Sequence, residues 1–298
     1  MNMKTEKGMN KSKAGVWPEG IRCAVMFSFD VDGETLWTSR NPENWRRPGN
    51  LAQGAYGPRV GVPKILDVLD RHQVKSSFFI PGWIIEKYPH MAKDIQSRGH
   101  EIGYHGYLHE FDINAGYEKE KEIMDHTLEV FHRILKTRPV GYRSPLYEVT
   151  ESTLQIMDEY QFSYSSMMMD DDFPHFWQRE NKIIKIVELP TQWMWEDASF
   201  FFFTLSEPVR RGISSCKQVF DIWIEEFDEI YKHGAFLNLI FHPQVIGRFS
   251  RVKLIDDLLS YMENKKGTWI ARGEDIARFW LEEYGTKDVH GADSTKRG

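Results

Sequence analysis

The sequence predicts an α/β fold, a distorted (β/α) barrel of seven or eight parallel strands. Eight short apolar or β-rich runs alternate, for the most part, with segments that carry apolar residues at i, i+3, i+4 and i+7. This alternation favours parallel strands with helices packed outside them. The length of 298 residues and the hydrophobic content of 41% fit one large core in a single domain.

The predicted elements follow one another along the chain with two interruptions. Strands are predicted at residues 22–32, 76–82, 100–106, 140–145, 162–168, 186–193, 236–243 and 268–272. Helices are predicted at residues 61–72, 84–98, 117–135, 150–160, 217–233 and 252–264. Residues 34–59 and 169–182 break the alternation, follow strands and contain aromatic residues with Pro or Gly. Loops in these places would line a pocket at the mouth of the barrel.

A third irregular stretch, residues 193–211, contains four consecutive phenylalanines at 200–203. They could belong to the core, to a pocket lid or to a subunit contact. Because so many consecutive aromatic side chains cannot all face one core, we favour the subunit contact.

Charge and composition exclude several classes of function. A net charge of −6 and a pI near 6.0 give no reason to expect nucleic acid or an anionic membrane as a partner. No apolar run of 18 residues occurs, so no transmembrane helix is expected. Cys23 lies in an apolar run, which predicts a buried thiol rather than a disulfide with Cys216.

The two ends of the chain differ in composition from the rest. Residues 1–16 and 286–298 are polar and rich in Gly and Lys, so we expect disordered tails around one catalytic domain at 17–285. The N-terminal residues are positively charged, with no apolar segment after them. We therefore expect neither a secretory signal nor a membrane anchor, and a cytoplasmic location.

Two aspartates, Asp30 and Asp32, end the first predicted strand in the run FDVDGE. Side chains at i and i+2 of a strand share a face, and at the carboxyl end that face is the barrel mouth. The alternative is a strand-terminal turn built on Gly33. A turn needs only one aspartate, however, and two like charges repel unless a cation neutralises them.

The run HGYLH follows the third predicted strand and places His105 and His109 four residues apart. If the run forms a helical turn, both imidazoles reach one ion at roughly 2.0–2.1 Å. The alternative is a pair of solvated or core histidines. Two imidazoles and one carboxylate would leave an open coordination position, as in catalytic zinc sites.

Two further strand ends carry His242 and Arg143. His242 lies in the run LIFHP, where Pro243 stops the strand, and its alternative role is to cap a buried strand. Arg143 in GYRSP would be a solvated surface group unless it faces the mouth, where it would orient a carboxylate. All four motifs fall where barrel enzymes build active sites, and together they supply the parts of metal-assisted hydrolysis.

In this order, the motifs resemble those of the polysaccharide deacetylase superfamily, also called carbohydrate esterase family 4 or the NodB homology domain. FDVDG resembles the family's TFDDG, HGYLH its H(S/T)xxH, RSPL its RxPY and LIFHP its last histidine motif, over residues 22–272. The resemblance implies a distorted barrel of seven or eight strands. It also implies a catalytic base at Asp30, metal ligands at Asp32, His105 and His109, and a catalytic acid at His242.

The chain departs from the family pattern at three positions. Val31 separates the aspartates, Gly106 replaces a Ser or Thr that braces the metal loop, and Leu146 stands where an aromatic residue is usual. The whole pattern is more similar to a branch with allantoinase-like enzymes, cyclic-imide hydrolases and a cytosolic-type peptidoglycan deacetylase. That branch implies a homotetramer without a signal peptide.

The resemblance also implies a mechanism and a set of weaker site candidates. Arg143 would keep Asp30 ionised, and the backbone N–H of Leu146 would serve the oxyanion. Pocket walls, or groups that orient His242, are expected among Glu34, Trp193, Trp195 and Asp197, with a core position as the alternative for the two tryptophans. The ligand set suits Zn²⁺, although Co²⁺, Ni²⁺, Mn²⁺ or Fe²⁺ could take the same ligands.

The cytoplasmic location and the aromatic loops favour a small planar amide, cyclic imide or ureide as substrate. The first alternative is N-deacetylation of an amino sugar or peptidoglycan fragment, which uses the same catalytic groups. The second is an inactive carbohydrate-binding protein that contains the metal.

Overall fold

The computed structural model describes residues 15–179, 182–204 and 213–285. Most of the two predicted tails, and residues 205–211 of the third irregular stretch, lie outside these ranges. Val16, assigned to the N-terminal tail, is buried, and its carbonyl accepts a hydrogen bond from Tyr284. The packed domain therefore includes residue 16. Among the described residues, no helix has the length and apolar character needed to cross a membrane.

The strands confirm the predicted α/β fold. They are β1 (Cys23–Asp30), β2 (Ser77–Ile80), β3 (Glu101–Tyr104), β4 (Gly141–Tyr142), β5 (Tyr164–Ser165), β6 (His175–Arg179), β7 (Lys182–Glu188), β8 (Phe236–Phe241) and β9 (Thr268–Ile270). They form one sheet in the order β6-β7-β5-β4-β3-β2-β1-β8, and β9 also pairs with β1. Every pairing is parallel except that of β6 with β7.

The sheet curls into a distorted barrel. Apolar side chains from β1, β2, β5, β7 and β8 meet in one cluster on its concave side. Beside β8, a single parallel bridge pairs Glu196 with Ile240. The residues around Glu196 therefore form part of the barrel wall, next to the strand that ends at His242.

The described helices are α1 (Thr35–Thr38), α2 (Pro48–Tyr56), α3 (Val62–Arg71), α4 (Gly82–Lys87), α5 (Pro89–Ser97), α6 (Gly116–Val130), α7 (Thr153–Glu159), α8 (Ala198–Phe201), α9 (Cys216–His233), α10 (Pro243–Ile246), α11 (Phe249–Glu263) and α12 (Gly273–Tyr284). The alternation of β1 separates its two faces. Val25, Phe27 and Phe29 pack with helix residues, whereas Ala24 and Met26 join the interior cluster. The same alternation turns Asp30 inward.

Several predicted elements needed correction. The stretch 169–182 contains β6, which pairs with β7 as a hairpin, and the stretch 34–59 contains α2. The predicted helix 84–98 is two helices, because Pro89 lacks the N–H that a continuous helix needs and instead opens α5. The predicted strand 186–193 ends at Glu188, and residues 193–195 form a 3-10 turn. Helix α12 was not predicted.

The structure also shows how far the four phenylalanines and the two cysteines are buried. Phe201 and Phe202 are buried in the core, while Phe203 is 40% exposed. Of the three positions considered for the run, the core is therefore the one that two of the four phenylalanines occupy. Cys23 is a buried free thiol, as expected, and burial raises its pKa to about 12. Cys216 is also free.

Candidate metal centre and active site

The carboxyl ends of four parallel strands bring the predicted site residues to one end of the barrel. Asp30 ends β1 and Asp32 follows it, while His105, Arg143 and His242 directly follow β3, β4 and β8. All five side chains are buried. Residues more than 200 positions apart in sequence thus share one site, because parallel strands end at the same edge of the sheet.

Asp32, His105 and His109 form a cluster that could hold a metal ion. One ligand atom from each residue lies within 4.8 Å of the others. The Oδ1 atom of Asp32 is 3.3 Å from His105 Nε2 and 3.8 Å from His109 Nε2. Among the described residues, this buried oxygen has no hydrogen-bond partner. A buried carboxylate oxygen without a donor, facing two imidazole nitrogens, fits a divalent cation.

Both imidazoles are held by their second ring nitrogen. His105 Nδ1 lies 2.9 Å from the carbonyl of Arg143 and donates to it, which leaves Nε2 as the nitrogen that faces Asp32 and could bind an ion. His109 Nδ1 lies 3.4 Å from Ser39 Oγ. Burial lowers the pKa of His109 to about 3, so its imidazole is neutral, the form that binds metals.

The loop from His105 to His109 is not the predicted helical turn. Gly106 and His109 have φ values of 73° and 63°, which a right-handed helix does not allow. The Glu110 carboxylate accepts hydrogen bonds from the backbone N–H groups of Tyr107 and Leu108. These bonds brace the loop where Gly106 supplies no hydroxyl, and the two imidazoles still meet edge to face at 5.1 Å.

Asp30 forms a buried ion pair with Arg143. Arg143 Nη1 donates to Asp30 Oδ1 at 2.6 Å and also contacts Ser28 Oγ at 3.0 Å. The other guanidinium nitrogens donate to the carbonyl and hydroxyl of Ser166, and the guanidinium lies 4.1 Å above the Phe79 ring. The charge-assisted hydrogen bond fixes the direction of the Asp30 carboxylate.

His242 is oriented by Asp197. His242 Nδ1 donates to Asp197 Oδ1 at 2.7 Å, and the other oxygen of Asp197 accepts from the His242 backbone N–H. Burial opposes the charged imidazole, but the Asp197 carboxylate raises the pKa of His242 well above its usual value. The Nε2 atom faces the mouth, 3.7 Å from Asp32 Oδ2.

The pocket over the cluster contains two of the five predicted substrate-binding residues. Leu146 and Trp193 line it. Asp197 lies behind His242, and Glu34 is turned away to accept hydrogen bonds from Lys87 and Tyr88. Trp195 is a core residue whose indole donates to Glu226. Neither Glu34 nor Trp195 lines this pocket, and their contact with substrate stays a prediction.

Other pocket residues were not foreseen. The lining also includes Leu36, Arg40, Tyr147, Glu196, Ala198 and Phe202. Leu146 and Tyr147 form a turn in which both residues have positive φ, and no simple sequence pattern predicts such a turn. The only sequence signal for Glu196 was its position next to Asp197.

Comparisons with known proteins agree with this geometry. The sequence profile of the polysaccharide deacetylase family matches residues 56–165. A crystal structure assigned to the polysaccharide deacetylases, from Mycobacterium smegmatis, is 32% identical with a TM-score of 0.84, and the match covers 88% of this chain and 91% of that one.

Two further relatives are more distant. A peptidoglycan deacetylase from Helicobacter pylori is 24% identical over 84% of this chain and 94% of its own length. A crystal structure of an allantoinase has a TM-score of 0.78 at 21% identity, over 90% of this chain and 93% of that one, a likeness of fold. The 32% identity over nearly the whole of a related chain shows that this protein belongs to the polysaccharide deacetylase family, whose members hydrolyse carbon–nitrogen bonds other than peptide bonds.

Proposed function

We propose that the protein is a metal-dependent hydrolase of a small amide, cyclic imide or ureide. The observation that carries this proposal is the recess directly over the Asp32 cluster and the apolar side chains that line it. Leu36, Phe202 and Trp193 line it beside the polar groups. Apolar and aromatic walls of this kind suit a small planar molecule better than several linked, hydroxylated sugars.

Asp32, His105 and His109 would hold the ion, with Zn²⁺ the best match to two imidazoles and one carboxylate. A divalent ion there would polarise the substrate carbonyl and lower the pKa of its water towards roughly 7. Gln244 Nε2 lies 3.3 Å from Asp32 Oδ2 and would steady the carboxylate from the opposite oxygen.

Asp30 would take the proton from the attacking water. The carboxylate lines the pocket and is oriented by its hydrogen bond from Arg143, as a general base requires. The backbone N–H of Leu146 would donate to the oxyanion, because its strained turn presents the backbone at the pocket wall.

His242 would protonate the departing nitrogen. With Asp197 bound to Nδ1, the proton on Nε2 points into the pocket, and a nitrogen that takes this proton leaves far more readily than its anion would. Asp197 is therefore a positioning residue in this proposal.

N-deacetylation of an amino sugar or peptidoglycan fragment is the second candidate. The relative from Helicobacter pylori, a peptidoglycan deacetylase by name, supports it. An inactive carbohydrate-binding protein is less well supported, because the site contains a base, an acid and a ligand cluster.

We also propose a cytoplasmic homotetramer. The exposed side chains of Trp193, Met194 and Phe203 beside the pocket support a subunit contact there. Sedimentation of the full chain would reveal a single species of four times 35.1 kDa.

Turnover by the zinc-loaded protein separates the substrate classes. Ring opening of succinimide, hydantoin and allantoin is measured beside acetate release from N-acetylglucosamine oligomers. We expect ring opening of at least one cyclic substrate to dominate. Acetate release alone would establish the second candidate, and stoichiometric zinc without any turnover would establish the inactive protein.

A further inference from the structure

The carboxyl group of Glu196 lies in the pocket between the Tyr147 hydroxyl and the His242 imidazole. Tyr147 donates its hydroxyl proton to Glu196 Oε2 at 3.1 Å. The other oxygen, Oε1, lies 3.8 Å from His242 Nε2, which is too far for a hydrogen bond. One oxygen is thus engaged by the protein, and the other points towards the nitrogen of the proposed acid.

Glu196 is fixed on the barrel wall. Its backbone forms the bridge with Ile240, and the next N–H, of Asp197, donates to the Ile240 carbonyl at 3.0 Å. The residue is 7% exposed, so its carboxyl cannot swing freely into solvent. The same segment therefore places Glu196 and the positioning residue Asp197 around a single imidazole.

Tyr147 is held in an unfavourable backbone conformation to make this contact. Leu146 and Tyr147 have φ values of 55° and 60°, which bulky residues adopt at a cost. The Tyr147 ring packs edge to face against Trp193 at 5.0 Å. Strain of this kind at a pocket wall indicates a functional constraint on where the hydroxyl points.

A neighbouring carboxylate shows the purely structural alternative. Glu226 accepts hydrogen bonds from Trp195 and Gln192 through one oxygen and does not line the pocket. Glu196, in contrast, lines the pocket beside Asp30 and His242.

We propose that Glu196 is a specificity-determining residue whose Oε1 accepts the N–H of the reacting nitrogen. This inference rests on the proposed hydrolysis of amides or imides. It restricts the site to substrates whose reacting nitrogen carries a hydrogen. Burial raises the pKa of Glu196 to about 7, so the acceptor is largely ionised at pH 8.

The hydrogen bond would also orient the nitrogen for departure. After water adds to the carbonyl carbon, the nitrogen becomes pyramidal and its lone pair localises. With its N–H directed at Glu196, that lone pair faces His242 Nε2. The C–N bond then breaks, its electron pair stays on nitrogen, and nitrogen takes the proton of His242, while the water proton has passed to Asp30.

The test compares matched substrates at pH 8 with zinc-loaded protein. Succinimide is compared with N-methylsuccinimide, and N-acetylglucosamine with the derivative that carries a methyl group on the acetamido nitrogen. For whichever class is turned over, we expect the wild type to prefer the N–H compound by a factor of about 100, the order expected for a hydrogen bond to a charged group. Glu196→Leu should bring this preference to within a few-fold of unity, whereas Glu196→Gln, which keeps an acceptor oxygen, should retain most of it.

Glu226→Gln is the matched control and should leave the preference unchanged. Zinc content and melting temperature establish that each variant is folded and loaded, and Glu196→Met, which also lacks an acceptor oxygen, takes the place of the leucine variant if that one fails to fold. A preference for the N–H compound that stays unchanged when residue 196 has no acceptor oxygen would overturn this inference alone. Absence of turnover of all four compounds, and of hydantoin and allantoin as well, by the wild type would overturn the proposed function together with it.

Discussion

Two buried carboxylate clusters in the same barrel differ in one respect. Glu101 lies inside the barrel and accepts hydrogen bonds from Ser77 at 2.5 Å, Tyr164 at 2.7 Å and the backbone of Glu274 at 3.1 Å. Both of its oxygens have donors. Asp32 is equally buried, but its Oδ1 has no hydrogen-bond partner among the described residues and lines a pocket.

Burial and a perturbed pKa therefore do not identify the site by themselves. Burial raises the pKa of Glu101 to about 7, and it raises that of Glu196 to about 7 as well. Only Glu196 lines the pocket. The Asp32 cluster has a carboxylate oxygen without a hydrogen-bond donor and a pocket beside it, as a ligand-binding site requires. In the Glu101 cluster, the protein itself supplies a donor to each carboxylate oxygen.

The largest expected effect is that of His105→Ala. The variant should lose both bound zinc and turnover, because removing one ligand from three lowers metal affinity by more than about 100-fold. Metal analysis after dialysis and an activity assay measure the two losses. His132→Ala, at an exposed position outside the pocket, is the matched control and should change neither. Full zinc content in the His105 variant would contradict the assigned ligand set.

Asp30→Asn should separate metal binding from chemistry. The amide keeps the size of the carboxylate but cannot accept the proton of water, so turnover should fall by about 10²–10⁴-fold while zinc stays bound. Metal stoichiometry and turnover are measured on one sample. Activity equal to the wild type would show that another group is the base.

Asp197→Asn should have a smaller effect on rate and a specific effect on pH dependence. Because Asp197 raises the pKa of His242, its loss should lower that pKa. The acid form is then lost at lower pH, so the alkaline limb of the pH–rate profile should move to lower pH, with a decrease in rate of about 10–100-fold. An alkaline limb that does not move would argue against His242 as the acid.

The Glu101 cluster should respond in stability rather than in activity. Its pKa rises from 4.5 in the unfolded chain to about 7 in the folded one, so the folded state retains the proton longer and stability falls as pH rises through this window. Glu101→Gln removes this dependence. Between pH 5 and 8 the variant should gain, relative to the wild type, on the order of 3 kcal/mol in unfolding free energy.

Urea unfolding at several pH values measures this difference, and turnover per folded molecule should be unchanged. A stability difference that is constant over this range would mean that Glu101 does not titrate there. A large loss of turnover would remove the distinction between the two clusters.

The fold was largely predictable because the hydrophobic period is a local property. Strand β6 was missed because its pairing with β7 depends on a partner that a local pattern does not show. Helix α12 was missed although Ile276, Ala277 and Trp280 carry a helical spacing and are buried. That signal was present in the sequence.

The site likewise contains residues that the sequence predicts and residues that it does not. Asp32, His105 and His242 follow strands that the sequence shows, so their convergence could be foreseen. Tyr147 and Glu196 could not be, because a turn with positive φ and a single bridge to β8 place them. The helical turn at 105–109 failed because Gly106 and Glu110 support a different loop.

Anomalous diffraction at the zinc absorption edge, from crystals of the zinc-loaded protein, tests the central claim most directly. We predict one strong peak at roughly 2.0–2.2 Å from a carboxylate oxygen of Asp32 and from Nε2 of both His105 and His109. No peak should appear at the Glu101 cluster. A peak held by other residues, or none between these three, would contradict the assignment of the metal centre.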